Sequence, residues 1–161
     1  MPEKPTETTT LAAVDLALRQ RFGPSVSAGI FEKGELSHRV EKGSLLDVLA
    51  FLKTELGFNT LNDIIGLDNH PGPDELRKQF SVLYQLYRFP GGPRVRIAVD
   101  LAADESLPSI TSLYKSANWA EREIFDMFGV RFEGHPDLRR IYLSEDFDGH
   151  PLRKDFPLQG K

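Results

Sequence analysis

Apolar positions recur along the first half of the chain with two different periods. Leu11, Val14 and Leu18 fall on one helical face, with Thr10 placed to cap the helix and Gly23 to stop it. Ala28 to Phe31 and Leu36 to Val40 flank Glu32-Lys33-Gly34-Glu35, the pattern of a hairpin with Gly34 in the turn. Leu45, Leu49, Leu52 and Leu56 return to helical spacing. Ser44 stands where a cap belongs, Asp47 follows three residues on, and Gly57 ends the run.

Beyond Gly57 the period shortens. Ile64 and Ile65 make a short candidate strand. Phe80, Val82, Tyr84 and Leu86 alternate, Pro90-Gly91-Gly92-Pro93 forces a turn, and Val95, Ile97, Val99 and Leu101 alternate again. One face of that hairpin belongs on helices and the other on solvent or a partner. Pro108 is placed to open a short helix through Leu113. Asn118 and Glu121 have the spacing of a capping box for a further helix, which ends near Gly129. This order of elements predicts an α+β fold, a two-layer α/β sandwich.

The pattern changes after Gly129. Pro136, Pro151 and Pro157 interrupt any period, and each holds the preceding residue toward extended backbone. Yet Phe132, Leu138, Ile141, Tyr142, Leu143, Phe147, Leu152, Phe156 and Leu158 give the segment too much apolar surface for a linker. The expectation is an extended, largely irregular C-terminal arm, buried against a partner or wrapped on its own domain. Three regions follow: a flexible N-terminus over 1–9, an α+β domain over 10–129 and a partner-binding arm over 130–161.

Composition removes whole classes of chemistry. No cysteine is present, which excludes disulfides, thiolate nucleophiles and cysteine-held zinc or iron–sulfur clusters. A net charge of −4 argues against a general nucleic-acid binder. The polar start, with Glu3 and Glu7, matches neither a secretory signal nor a transit peptide, and no apolar run approaches the length of a spanning helix. A cytoplasmic protein that reaches a membrane only through partners is expected.

The charged residues near the arm have structural explanations. Glu121 and Glu123, two apart, do not face each other on a helix, and glutamates near its N-terminus complement the dipole. Arg122 and Asp126 are four apart and can pair. His135 and His150 each precede a proline, without the spacing that puts two metal ligands on one helix face. From Ser144 to Asp155, Asp146, Asp148 and Gly149 fall at calcium-loop positions, but Ser144 leads, Asp155 replaces the final Glu and Pro151 intrudes. Trp119, Phe125 and Phe128 read as core or interface anchors. A different class, a stand-alone hydrolase or metal-dependent enzyme, would need Glu121, Asp126, His135 or His150 to converge on one pocket.

Three consecutive stretches resemble a known family: Trp119-Ala120-Glu121-Arg122-Glu123-Ile124-Phe125-Asp126-Met127-Phe128-Gly129-Val130, then Gly134-His135-Pro136-Asp137-Leu138-Arg139-Arg140-Ile141, then Gly149-His150-Pro151-Leu152-Arg153-Lys154-Asp155-Phe156-Pro157-Leu158. Their order and spacing are similar to those of the 30-kDa subunit family of NADH–quinone oxidoreductase, respiratory complex I. The resemblance implies a cofactor-free subunit in the peripheral arm of a proton-translocating NADH:quinone oxidoreductase. Its C-terminal arm would pack on the large hydrophilic subunit that helps form the quinone site. Flavin, iron–sulfur clusters and quinone would sit in partner subunits, and no catalytic, cofactor-binding or metal-ligating residue is expected here. The subunit would be peripheral, at the cytoplasmic face of the bacterial inner membrane. Candidate interface residues are Glu121, Arg122, Glu123, His135, Arg139, Arg140, His150, Arg153, Lys154 and Asp155. An equivalent subunit of a membrane-bound hydrogenase or a formate hydrogenlyase is the related alternative.

Overall fold

The structure, a computed structural model, describes residues 7–70 and 78–159. Helices α1 (Glu7–Phe22), α2 (Leu45–Thr54) and α3 (Ala117–Phe128) accompany strands β1 (Ile30–Glu32), β2 (Glu35–Arg39), β3 (Thr60–Asp68), β4 (Phe80–Tyr87), β5 (Arg94–Leu101), β6 (Ser106–Pro108) and β7 (Arg131–Glu133). This is the α+β class that the alternating periods predict. Five strands form one mixed sheet in the order β1-β2-β5-β4-β3, and β6 pairs with β7 in a second, parallel pair. The chain divides into two compact units, residues 1–63 with 83–99, and residues 64–82 with 100–161.

In the first unit, β1 and β2 are joined by a two-residue turn, Lys33-Gly34, with positive φ at both residues (51° and 79°). That is the turn geometry whose twist matches a right-handed hairpin. β2 then runs parallel to β5, with Leu36 beside Val95 and His38 beside Ile97. Leu11, Val14 and Leu18 of α1 and Leu45, Val48, Leu49 and Leu52 of α2 are buried, together with Leu36, Val95, Ile97 and Val99 of the strands. The helical stripes therefore cover the apolar side of the strands, as their periods require.

Several local expectations are corrected. α1 is already helical at Glu7, so Thr10 lies inside it rather than at its cap. Of the polar stretch 1–9, residues 1–6 lie outside the described residues. Ser44 makes no side-chain cap bond, because a 3-10 turn over Lys42–Ser44 leads straight into α2. Ile64 and Ile65 are the middle of a nine-residue strand, not a short one. Pro108 ends β6, and the segment after it makes only a turn, closed by Leu113 and Tyr114 N–H on the Ile110 carbonyl. β7 pairs the first residues after α3 with β6, so the irregular path begins only at Gly134.

Candidate functional site

The second unit is organised around α3. Ala117, Glu121 and Ile124 form its buried stripe, at helical spacing, and a carboxylate occupies the middle of it. Neither Asn118 nor Glu121 serves as a capping box: Ser116 is the N-cap residue, without a side-chain bond. Glu121 is fully buried and turns inward. It accepts from Ser109 Oγ at 2.7 Å and from the Ile110 N–H at 2.7 Å. Burial pushes its carboxyl above the usual 4.5, against the lowering pull of Ser109, Ile110 and His135.

His135 lies against this carboxylate, with Nε2 3.8 Å from Glu121 Oε2 and both side chains enclosed. Its tautomer follows from its neighbours. Nδ1 accepts from the Asp137 N–H at 2.9 Å, so the ring hydrogen sits on Nε2 and is donated to the Asn118 carbonyl at 3.0 Å. The ring thus ties the turn after β7 to the first turn of the helix. With its hydrogen bonds committed and no solvent exposure, the Glu121–His135 pair offers no surface to a substrate.

The other end of α3 explains the arm. The last carbonyls of a helix lack intrahelical partners. Here Gly129, left-handed at φ 77°, closes on the Phe125 carbonyl. The arm supplies the rest. His150 donates from Nδ1 to the Asp126 carbonyl at 2.9 Å. The Leu152 N–H donates to the Met127 carbonyl at 3.1 Å and Arg153 Nε to the Phe128 carbonyl at 2.6 Å. Arginine and histidine at this end also suit the negative pole of the helix.

Asp126, fully buried, is the centre of the arrangement. Its Oδ2 accepts from three consecutive backbone N–H groups, Ile141 at 3.0 Å, Tyr142 at 2.8 Å and Leu143 at 3.1 Å. Its Oδ1 accepts from Arg140 Nη1 at 2.8 Å. Burial pushes this carboxyl up, but the Tyr142 N–H, Arg140 and the other two amides outweigh it and hold the group below the usual 3.8. Arg140 also donates from Nη2 to the carbonyls of Phe147 and Gly149. Arg122 does not pair with Asp126; it donates to the carbonyls of Arg139 and Arg140.

The ten candidate interface residues therefore separate by position. Glu121 and His135 lie inside the unit, while Arg122, Arg140, His150 and Arg153 hold the arm's own path. Glu123, Arg139, Lys154 and Asp155 face solvent. Arg139 is clamped by Asp137 through two bonds of 2.6 and 2.8 Å. The backbone N–H of Lys154 donates to Asp68. The apolar side chains of the arm behave differently from its polar ones. Tyr142 is 66% exposed, Leu152 55% and Leu158 fully exposed; of the nine, only Phe132, in β7, is buried. Trp119, under the Arg122 guanidinium at 4.8 Å, is exposed as well. No group of three or more His, Asp or Glu among the described residues could hold a metal ion, and no described helix is long and apolar enough to cross a membrane.

Residues 38–161 match the family described as respiratory-chain NADH dehydrogenase, 30 Kd subunit. The chain belongs to that family. It is 44% identical over 144 residues to a NADH-quinone oxidoreductase subunit of Trichlorobacter lovleyi, covering 89% of this chain and 87% of the relative. It is 40% identical over 146 residues to the subunit of the same name from Geobacter sulfurreducens, covering 90% and 88%. Among solved structures, a trypsin-resistant fragment of Nqo5 superposes with a TM-score of 0.68 at 35% identity, over 80% of this chain and 99% of the fragment. A chain of the membrane-bound sulfane sulfur reductase, an archaeal respiratory membrane complex, shares the fold at a TM-score of 0.74 and 22% identity, over 91% and 85%.

The 30 Kd subunit match contains α3 and the whole described arm. Three positions of this internal network escape a reading of the sequence. Ser109 and Ile110 are brought to Glu121 by the β6–β7 pair, which three-residue strands do not announce. Asp126 becomes a hub only through the path of the arm. One signal does exist: position 121 falls on the Ala117–Ile124 stripe, so a charge there has to be met from inside.

Proposed function

We propose that this chain is a cofactor-free, non-catalytic subunit in the peripheral arm of a proton-translocating NADH:quinone oxidoreductase. It sits at the cytoplasmic face of the bacterial inner membrane and is held there by partners. Its C-terminal arm docks on the large hydrophilic subunit that helps form the quinone site. Flavin, iron–sulfur clusters and quinone belong to the partner subunits. The observation that carries the reading is the division of labour in the arm: polar groups are turned in to fix its path, while Tyr142, Leu152 and Leu158 are left in solvent. This reading takes these exposed large apolar side chains, carried on a fixed backbone, as the contact surface for the partner. The hydrolase alternative has no support, because Glu121 and His135 are enclosed and Asp126 is saturated with donors.

The fold likeness to a chain of another respiratory membrane complex keeps a related machine as the second reading. Gentle purification of the tagged chain from detergent-solubilised membranes separates the two. Recovery of a cluster-bearing large subunit with NADH-oxidising partners supports the first reading; a hydrogenase or formate-oxidising partner supports the second. A lone soluble protein under several mild conditions refutes both. Arg139→Glu is expected to lower the yield of the complex while the isolated chain stays folded, since this side chain is 63% exposed and its only described ion-pair partner is Asp137. Full yield from that variant counts against docking through this part of the arm.

A further inference from the structure

His38 is the only histidine of the first unit, and its side chain is fully enclosed. Alternation along β2 puts it on the buried side with Leu36, where an aliphatic side chain would be the ordinary choice. Both of its ring nitrogens meet acceptors. Nδ1 lies 2.9 Å from the Ser27 carbonyl, which can only accept, so the hydrogen of the neutral ring sits on Nδ1. Nε2 then presents a bare lone pair. It has no hydrogen-bond partner among the described residues, and it faces the Asp15 carboxylate of α1, with Oδ1 at 3.6 Å. That carboxylate is fixed from other sides. The Gly29 N–H donates to Oδ1 at 3.0 Å, and Arg19 Nε lies 3.4 Å from Oδ2. A Cβ at Gly29 would lie 2.6 Å from Oδ1, so glycine is what lets the two segments meet.

One proton on Nε2 would join the two groups, but it would also place a positive charge inside the unit. Burial opposes that charge and pulls the ring below its ordinary 6.5; Arg19 acts in the same direction, while the Ser27 carbonyl and Asp15 push up without outweighing burial. The other neighbours add no charge. Residues 26–29 carry no ionisable side chain, β5 places Ile97 beside the ring, and the buried positions of α2 are all apolar. At neutral pH the ring is therefore neutral, with α1 over it. Acid favours any state that takes up the proton more readily, which is one where the ring meets water. Asp15, on α1, closes the Nε2 side, so lifting α1 opens the ring. Local opening of one helix also lies below global unfolding in free energy.

We propose that His38 and Asp15 make α1 an acid-releasable cover: a proton taken up on Nε2 weakens the seat of α1 on β2, while α2 and the strands stay in place. His38 is the sensor. Asp15 is a positioning residue that sets how readily the sensor responds. Neither role depends on the proposed function.

The experiment is hydrogen–deuterium exchange on the full chain at about pH 7.5 and about pH 5.5, each amide referred to unstructured peptide at the same pH. Protection of residues 11–18 should fall about two- to tenfold at the lower pH, tenfold being the limit for a ring that titrates near 6.5 when open. Amides of α2 and β5 should keep theirs. His38→Asn retains a donor for the Ser27 carbonyl and cannot titrate, so its α1 should be equally protected at both values. If His38→Asn does not fold, ring titration by nuclear magnetic resonance decides. The native His38 ring should titrate below 6.5, and Asp15→Asn should lower it further and move the loss of α1 protection to lower pH. Unchanged or increased protection of α1 in acid overturns the proposal. So does a native ring that titrates above 6.5, a loss that persists in His38→Asn, or an equal loss in α2.

Discussion

Gly129 is the position where the helix, the arm and a ring meet, and an added methyl there tests all three. Its φ is +77°, in the left-handed region that costs an alanine about 1–2 kcal/mol. A Cβ on it would lie 2.6 Å from His150 Cδ2 and 2.7 Å from His150 Nε2. Those atoms belong to a ring that is not free to swing aside, because its Nδ1–H is held by the Asp126 carbonyl at 2.9 Å and the ring packs beside Phe125. Gly129→Ala therefore carries the backbone strain and also displaces His150, whose hydrogen bond contributes about 0.5–1.5 kcal/mol. The expected loss is about 2–3 kcal/mol, above the typical single substitution.

The steric part disappears if the ring is removed first. His150→Ala alone is expected to cost about 1–2 kcal/mol, through the lost bond and an orphaned carbonyl. In the double variant only the backbone strain is added. The two losses should then fall short of additivity by about 1 kcal/mol, within the range seen for contacting residues. Urea denaturation of the four proteins, with unchanged m-values as the control, measures this coupling. Strict additivity, or a Gly129→Ala loss under about 0.5 kcal/mol, would mean that His150 does not lie over the end of the helix and that the arm takes another path.

The two buried carboxylates of α3 give the remaining expectations. Glu121→Ala should destabilise by about 1–3 kcal/mol, because the Ile110 N–H is left buried without an acceptor. Glu121→Gln should be nearly neutral: its oxygen still meets Ile110, and Ser109, 2.9 Å from Thr111 Oγ1, can turn to accept from the new amide. Chemical denaturation of both variants compares them; equal losses would refute the hydrogen-bond account. The pH dependence has opposite signs at the two sites. Asp126 is depressed in the fold, so its contribution is complete above the usual 3.8 and is lost as pH falls through the lower folded value. Glu121 is raised, so its contribution is complete below the usual 4.5 and is lost as pH rises through the higher folded value. Acid titration followed by circular dichroism should therefore show a shallower loss of stability for Asp126→Asn than for the native chain, and an unchanged acid limb would exclude Asp126 as an acid-sensitive anchor.

Hydrophobic period locates α1, α2 and the β4–β5 hairpin, because each of those elements buries one regular face; the first hairpin is found through Gly34 although all three residues of β1 are exposed, and α3 through its end at Gly129. It misplaces what depends on polar contacts. Ser44 and Asn118 have cap-like side chains, yet neither caps, since a 3-10 turn and Ser116 precede the helices. Pro108 looks like a helix start and ends a strand, because β7, far from it in sequence, returns beside it. The arm is legible as apolar and proline-broken, hence irregular. Its register against α3 is not, since nothing local says which of two arginines meets which of several acids. Arg122 and Asp126 have the spacing of a helical ion pair; tertiary packing gives each of them a separate partner in the arm.

Helix geometry explains why that separation follows from so short a string. Residues 121 and 126 are five apart, about 140° around the helix, so they cannot serve one site. Residue 121 faces the β6 side, where burial outweighs the lowering pull of its neighbours and favours the protonated carboxyl, and the bonded partners are a hydroxyl and an amide. Residue 126 faces the arm, where Arg140 and three amides favour the charged form. Arg122, four residues before Asp126 and so on nearly the same face, reaches the neighbouring carbonyls of the arm, those of Arg139 and Arg140. The dense charge of this helix is thus a set of separate internal attachments rather than an acid–base pair. That is why the Trp119–Val130 stretch can be chemically rich and still expose mainly Trp119 and Glu123 on its outer face. Treated as one polar patch, the string would suggest a reaction. The distances direct attention instead to what the string holds in place, the backbone beneath Tyr142 and Leu152.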